Sequence, residues 1–154
     1  MSLPLLHSPG DVLRWLLVAK LAASNPLVSP LGTWPCYTDM EPSGPDDCLT
    51  TYDHDAQDDG RAMRGGEGFV HHGIQIRVRS ALPTTGRAKA ESIRVVLTES
   101  VYQELITITL GNTATYLVQC AAKVSGVLRL GAESPTSNRS LHVINALLSL
   151  TRTA

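Results

Sequence analysis

Carboxylates crowd one stretch of this chain. Residues 39–60 hold Asp39, Glu41, Asp46, Asp47, Asp53, Asp55, Asp58 and Asp59, eight of the fourteen acids in 154 residues, and no Lys or Arg. Oxygen donors at that density are the raw material of a hard-cation site. An EF-hand loop needs ligands at positions 1, 3 and 5, Gly at 6 and Glu at 12. Started at Asp53, the loop puts Asp58 where the glycine belongs and Arg64 at the last ligand. Started at Asp55, it places Asp59 and Gly60 well but brings Gly66 to the final position, one short of Glu67. Both registers fail. His54, His71 and His72 add nitrogen donors, yet adjacent residues of a strand point to opposite faces, so His71 and His72 do not readily share one ion. The sequence predicts no metal site.

Nucleophilic chemistry fares no better. Cys36, Cys48 and Cys120 form no CxxC pair, and an odd count leaves a thiol over in any disulfide scheme, which favours free thiols in a reducing compartment. Cys48 lies near acids, which raise a thiol pKa, and Cys120 falls in an apolar run where an inert buried thiol is expected. No GxSxG, HExxH, GxxxxGK[ST] or GxGxxG occurs. The reading is of a protein without catalytic residues or cofactor.

Bases follow the acids. Residues 61–94 hold Arg61, Arg64, Arg77, Arg79, Arg87, Lys89 and Arg94 against only Glu67 and Glu91, while the whole chain carries a net charge of −1. Arg77, Arg79, Arg87, Lys89 and Arg94 suit phosphate contact, which makes a small nucleic-acid-binding module one alternative. They lack interleaved aromatics for base stacking, and no known reading motif includes them. Pairing with the acidic loop of a neighbouring copy accounts for them as well, because opposite patches on one chain register copies against each other. The subunit-interface candidates are Asp53, Asp55, Asp58, Asp59, Arg61, Arg64, Arg77, Arg79, Arg87 and Arg94.

Several elements must position these groups. Residues 8–24 read as a helix, with Ser8 as N-cap, Pro9 at the first turn and Val12, Trp15, Leu16 and Ala19 at helical spacing, broadened by Leu13, Leu17 and Leu21. Residues 26–47, with five prolines, read as an extended connector pinned by Trp34 and Tyr37. Residues 48–52 read as a short strand and 53–68 as a glycine-rich loop. Residues 69–80 give the best strand: Ile74, Ile76 and Val78 face one way, and Gln75, Arg77 and Arg79 form a charged outer face. A helix over 84–99 buries Ala90, Ile93 and Leu97. Residues 105–110 and 114–124 flank the hairpin signal Gly111-Asn112. Strands at 127–130 and 141–150 close the chain around a polar turn at 133–138. The fold class is α+β: one domain over 1–154, with a central, mostly antiparallel sheet packed on two helices and long hairpin loops.

Composition agrees. Aromatics make up 5% and charged residues 18%, so the core is aliphatic and the charge-poor surface suggests cover by other subunits. No apolar run reaches spanning length, and no charged segment precedes the first apolar residues as in a signal peptide. The expected site of synthesis is the cytoplasm.

The order of these elements resembles the tail-terminator or minor capsid proteins of long-tailed bacteriophages. The match rests on Leu49-Thr50-Thr51-Tyr52-Asp53, the polar loop after it, and His72-Gly73-Ile74-Gln75-Ile76-Arg77-Val78-Arg79-Ser80, close to the family's aromatic-Gln-Val-Arg-Val-Arg strand, with a helix directly following. Gly126-Val127-Leu128-Arg129-Leu130-Gly131 and residues 141–150 fit its terminal hairpin. Arg61-Ala62-Met63-Arg64 departs from the family in lacking prolines, and Gly73 stands where an aromatic is usual. The resemblance implies a structural virion protein of the neck. It would form a homohexameric ring that caps the tail tube, ends its polymerisation and joins the head. The implied partners are other copies, the tube protein and a head-completion or connector protein, with non-specific contact to packaged DNA and no membrane. The implied location is the virion, after assembly in the host cytoplasm. A head-closure or tail-completion neck protein is the nearest alternative.

Overall fold

Two thirteen-residue strands, β4 (Gly68–Ser80) and β8 (Ser140–Arg152), form the spine of the protein. They run antiparallel from His71 opposite Ser149 to Ser80 opposite Ser140. The computed structural model describes residues 3–20, 23–27, 33–55, 57–61, 68–132 and 139–154, with 57–61, 68, 69 and 132 described by backbone alone. Around the spine lie β1 (Cys36–Thr38), β2 (Cys48–Asp53), β3 (Gln57–Arg61), β5 (Tyr102–Ile108), β6 (Ala114–Ala122) and β7 (Leu128–Ala132). The sheet order is β1-β2-β4-β8-β6-β5, with β3 also beside β4 and β7 also beside β8. Among the described strands, β1 and β2 pair in parallel and the others antiparallel.

One face of the sheet is the core. Ile74, Ile76 and Val78 of β4 share it with Ile144, Ala146, Leu148 and Leu150 of β8, all at most 5% exposed. This is the period-2 alternation that 69–80 predicts, and 141–150 is a strand as expected. Helix α1 (Pro9–Ala19) and helix α2 (Pro83–Val95) close this face with Val12, Leu13, Leu16 and Leu17 and with Ala90 and Ile93. Each such leucine contributes about 1.5–3 kcal/mol by burial. Because α1 packs on β1, β2 and β4 and also reaches β5 at the far end of the order, the sheet is curled around it. Lys20 Nζ on Glu104 Oε1, at 2.5 Å, ties that closure.

Helix α1 starts as the sequence predicts: Ser8 is extended and its Oγ accepts the Asp11 N–H at 3.1 Å. It stops at Ala19 rather than 24. Ser24 is needed elsewhere, since its N–H donates to Trp34 O at 3.1 Å and its carbonyl accepts the Cys36 N–H at 2.8 Å. That exchange also corrects the connector, which contains β1 and is therefore partly sheet. Trp34 packs against the core as expected, with Lys89 Nζ 5.5 Å above its ring.

The 53–68 loop is corrected too, because β3 folds back along β4. The helix placed at 84–99 begins at Pro83 and changes after Val95 into a π-helical turn, Val96–Ser100. There Thr98 Oγ1 donates to the carbonyls of Arg94 and Val95, a back-bond that bends helix ends. Gly111, at φ +77°, makes the β5–β6 turn as predicted. The polar turn 133–138 lies outside the described residues.

Candidate functional site

The sequence predicts a charged outer face for the sheet, and the structure turns its arginines onto the chain's own connector. Arg79 is 1% exposed and donates from Nη2 to the Pro45 carbonyl at 2.6 Å. Arg77 lies half-buried, 5.2 Å above the Tyr52 ring and 3.8 Å from Glu41. Arg139 completes a clasp, donating to Asp46 Oδ1 at 2.9 Å, Ser43 O at 2.9 Å and Gly44 O at 3.3 Å. Asp47 Oδ1 accepts Ser80 Oγ at 2.8 Å and the Ala81 N–H at 3.1 Å. Prolines leave the 41–47 backbone without strand partners, so guanidinium groups satisfy its carbonyls instead. The arginines therefore hold the connector over this end of the sheet.

The remaining candidates scatter. Asp53 ends β2 on the core side, where Oδ1 accepts the Gly10 N–H at 2.7 Å and so faces the positive end of α1. Gly10 allows this close approach: a Cβ there would lie 3.1 Å from that oxygen, tighter than an ordinary contact. Asp55 is exposed, and Asp58, Asp59 and Arg61 lie along β3. Arg64 falls outside the described residues. Arg87 and Arg94 both pair with Glu91 at 2.9 Å on the exposed side of α2, at the opposite face from the clasp. Among the candidates whose side chains are described, Arg77 and Arg79 share the outer face of the sheet, while Asp53 lies on the core side and Arg87 and Arg94 on α2.

Where the connector stops, the outer face opens into a groove of about 430 Å³ lined by His54, Asp55, Gly73, Gln75, Asn145 and Leu147. Its floor carries an amide pair, with Gln75 Nε2 donating to Asn145 Oδ1 at 3.2 Å. Gly73 is the residue that admits the loop above it, because a Cβ would lie 2.7 Å from the Asp55 carbonyl.

Reactive side chains are muted. Burial pushes the Cys36 thiol up to about 12, against the opposing pull of Arg14. Cys48 is buried as well, whereas Cys120, expected buried, is half-exposed on β6. Among the described residues no three His, Cys, Asp or Glu side chains are grouped to hold a metal. His71 Nδ1 meets Ser149 Oγ at 2.5 Å, which accounts for one of the three histidines weighed as ligands. Burial lowers the His72 pKa, an effect that Asp53 opposes.

Three residues escaped the sequence reading. Tyr116 is fully buried, and its hydroxyl accepts the N–H groups of Leu6 and His7 at 3.1 and 3.0 Å. Its parity with Ala114 and Val118 on β6 was the available signal. His142 is 2% exposed under α2, close enough that a Cβ on Gly86 would lie 3.1 Å from its Nδ1. It shares its parity with Ile144, Ala146 and Leu148. Arg139 stood between the polar turn and the last strand, with nothing local to mark it.

Among the described residues β1, β3, β5 and β7 each pair with a single strand. Of these, β5 and β7 carry large apolar side chains in the open: Tyr102 and Leu105 are 72% and 66% exposed, Leu128 and Leu130 51% and 53%.

The sheet is curled and backed by helices, its polar groups hold its own loops, and large apolar side chains project from its edges. The chain matches the model of the bacteriophage tail terminator proteins over residues 19–152, and it belongs to that family. No curated protein matches it. Membership gives it a structural role in the phage tail, as the resemblance implied. No helix among the described residues is long and apolar enough to cross a membrane.

Proposed function

We propose that the protein forms a ring, six copies in the family's usual arrangement, at the head-proximal end of the tail. There it stops the tube from growing and offers the joint to a head-completion or connector protein. The observation that carries this reading is the family match over 19–152. The exposed apolar edges support it, since a monomer gains nothing by leaving Tyr102 and Leu105 in water. Asp55, Asp58, Asp59, Arg61, Arg64, Arg87 and Arg94 remain interface candidates. Asp53, Arg77 and Arg79 have work within the chain that a neighbour would have to share. The 53–68 segment contacts another copy or the tube. A high-resolution reconstruction of the assembled neck in which that segment touches nothing would remove this contact.

Electron microscopy of particles made without the protein tests the function. Over-long or ragged tails are expected. Normal tails with leaky heads would instead identify a head-closure protein. Salt-dependent binding of the purified protein to DNA would favour the nucleic-acid reading, although two of the arginines it relied on are committed to the connector. Assembly takes place in the host cytoplasm, and the mature location is the virion neck.

A further inference from the structure

We infer that free copies of the protein pair about a two-fold axis, with the free side of β5 in each set against the free side of β7 in the other. The pair is a form of the protein before assembly and does not depend on the ring proposed above. An unpaired strand side is a row of unmatched N–H and C=O groups, and soluble proteins blunt such rows with Lys or Pro. β5 (Tyr102–Ile108) and β7 (Leu128–Ala132) have neither, and instead expose Tyr102, Leu105, Leu128 and Leu130.

Topology sets the geometry. β6 and β7 both lie along β8 on the side away from β4, and β5 lies beyond β6. This flank is therefore stepped, two strands deep at one end of β8 and one strand deep at the other. A half-turn about an axis normal to the sheet brings the deep end of one copy against the shallow end of the other, and the same strands fill both ends of the joint. Register agrees. Leu105 lies level with Leu117 and through it with Thr151 of β8, while Leu128 lies level with Val143. Thr151 and Val143 are equally far along β8 from Leu147, so an axis at the level of Leu147 sets Leu105 against Leu128 of the other copy. Both leucines have outer-face parity, which such an axis preserves. β5 runs with β8 and β7 against it, so the new pairs are parallel, as β1 and β2 already are.

Charge favours this pairing over like edges. From Val95 to Ala122 the sequence has Glu99 and Glu104 and no base; from Lys123 to Ala132 it has Lys123 and Arg129 and no acid. Two β5 edges would oppose acids and two β7 edges would oppose bases, whereas unlike edges match. Glu104 is paired with Lys20, so Glu99 and Arg129 carry most of the contrast. Each copy offers both edges once, and the contact closes at two copies. A copy joining the tail through these edges must first leave its partner.

Sedimentation of the purified protein over a dilution series tests this. A dimer that gives way to monomers on dilution is expected, and Leu105→Lys, with an unchanged circular-dichroism spectrum, is expected to be monomeric throughout. Native protein that is always monomeric or that grows beyond the dimer overturns the pair, as does a lysine variant that still dimerises. Disulfide trapping then reads the edges. In a Cys120→Ser background, Leu105→Cys is combined with Leu128→Cys or with Leu130→Cys, and one of these is expected to oxidise to a dimer and no further. A ladder beyond the dimer, or a dimer from Leu105→Cys alone, overturns the two-fold arrangement, and no linked product overturns the edge contact. All of these results come from free protein and leave the ring to be decided by the particles made without it.

Discussion

Tyr116 shows how one buried polar atom fixes the start of the chain. Its hydroxyl accepts two backbone N–H groups and lies 2.8 Å from His7 Nδ1. With both lone pairs used, its single proton goes to Nδ1, so His7 carries its own proton on Nε2. Tyr116→Phe leaves two N–H groups without a partner, and about 1–3 kcal/mol of stability is expected to go, read as a lower urea midpoint. An unchanged midpoint contradicts this account. Gly73→Ala tests a different limit. The added methyl meets the Asp55 backbone rather than a yielding side chain. Overpacking of that kind costs roughly 1–3 kcal/mol, and shifts of amide resonances at residues 54 and 55 should accompany it.

Helix α2 rests on a histidine, and that makes its seat sensitive to acid. Burial lowers the His142 pKa from its usual 6.5, and Arg129 on β7 and Arg87 on α2 push the same way. The folded chain thus keeps His142 neutral at a pH where the unfolded chain takes up a proton. Stability is whole above about pH 6.5 and is lost as pH falls from there toward the folded value. His72, also lowered by burial, adds to the slope. The unfolding midpoint is expected to drop between pH 7 and pH 5, and His142→Gln to flatten part of that drop; an identical profile would count against this origin. At the opposite face the connector depends on its clasp, so Arg139→Ala should speed amide exchange across residues 41–47 while sparing β4. Period-2 and helical patterning made β4, β8, α1 and α2 legible, because each buries one face and the alternation is written in the residues themselves. The clasp was not legible. Arg139 is more than ninety positions from Ser43 and Asp46, and an alternating arginine reads the same whether it meets water or a loop folded over it. β1 and β3 were missed for a related reason: their partners, not their composition, make them strands.

For the whole molecule, the monomer and the assembly draw on different surfaces. The core on the inner face is aliphatic and closed by two helices of the same chain. The exposed leucines of β5 and β7 lie outside that core, and in the proposed ring a second copy covers such side chains. This separation has a thermodynamic consequence. Any species that binds the folded chain and not the unfolded one raises apparent stability by mass action, and in the proposed ring that ligand is the protein itself. The unfolding temperature of the native protein should therefore climb with protein concentration. Leu105→Lys, altered at a position 66% exposed, should unfold at a temperature that does not depend on concentration and that equals the dilute limit of the native chain. A native unfolding temperature that stays flat from micromolar to millimolar protein would mean that free copies do not associate and that the tube must recruit them one at a time.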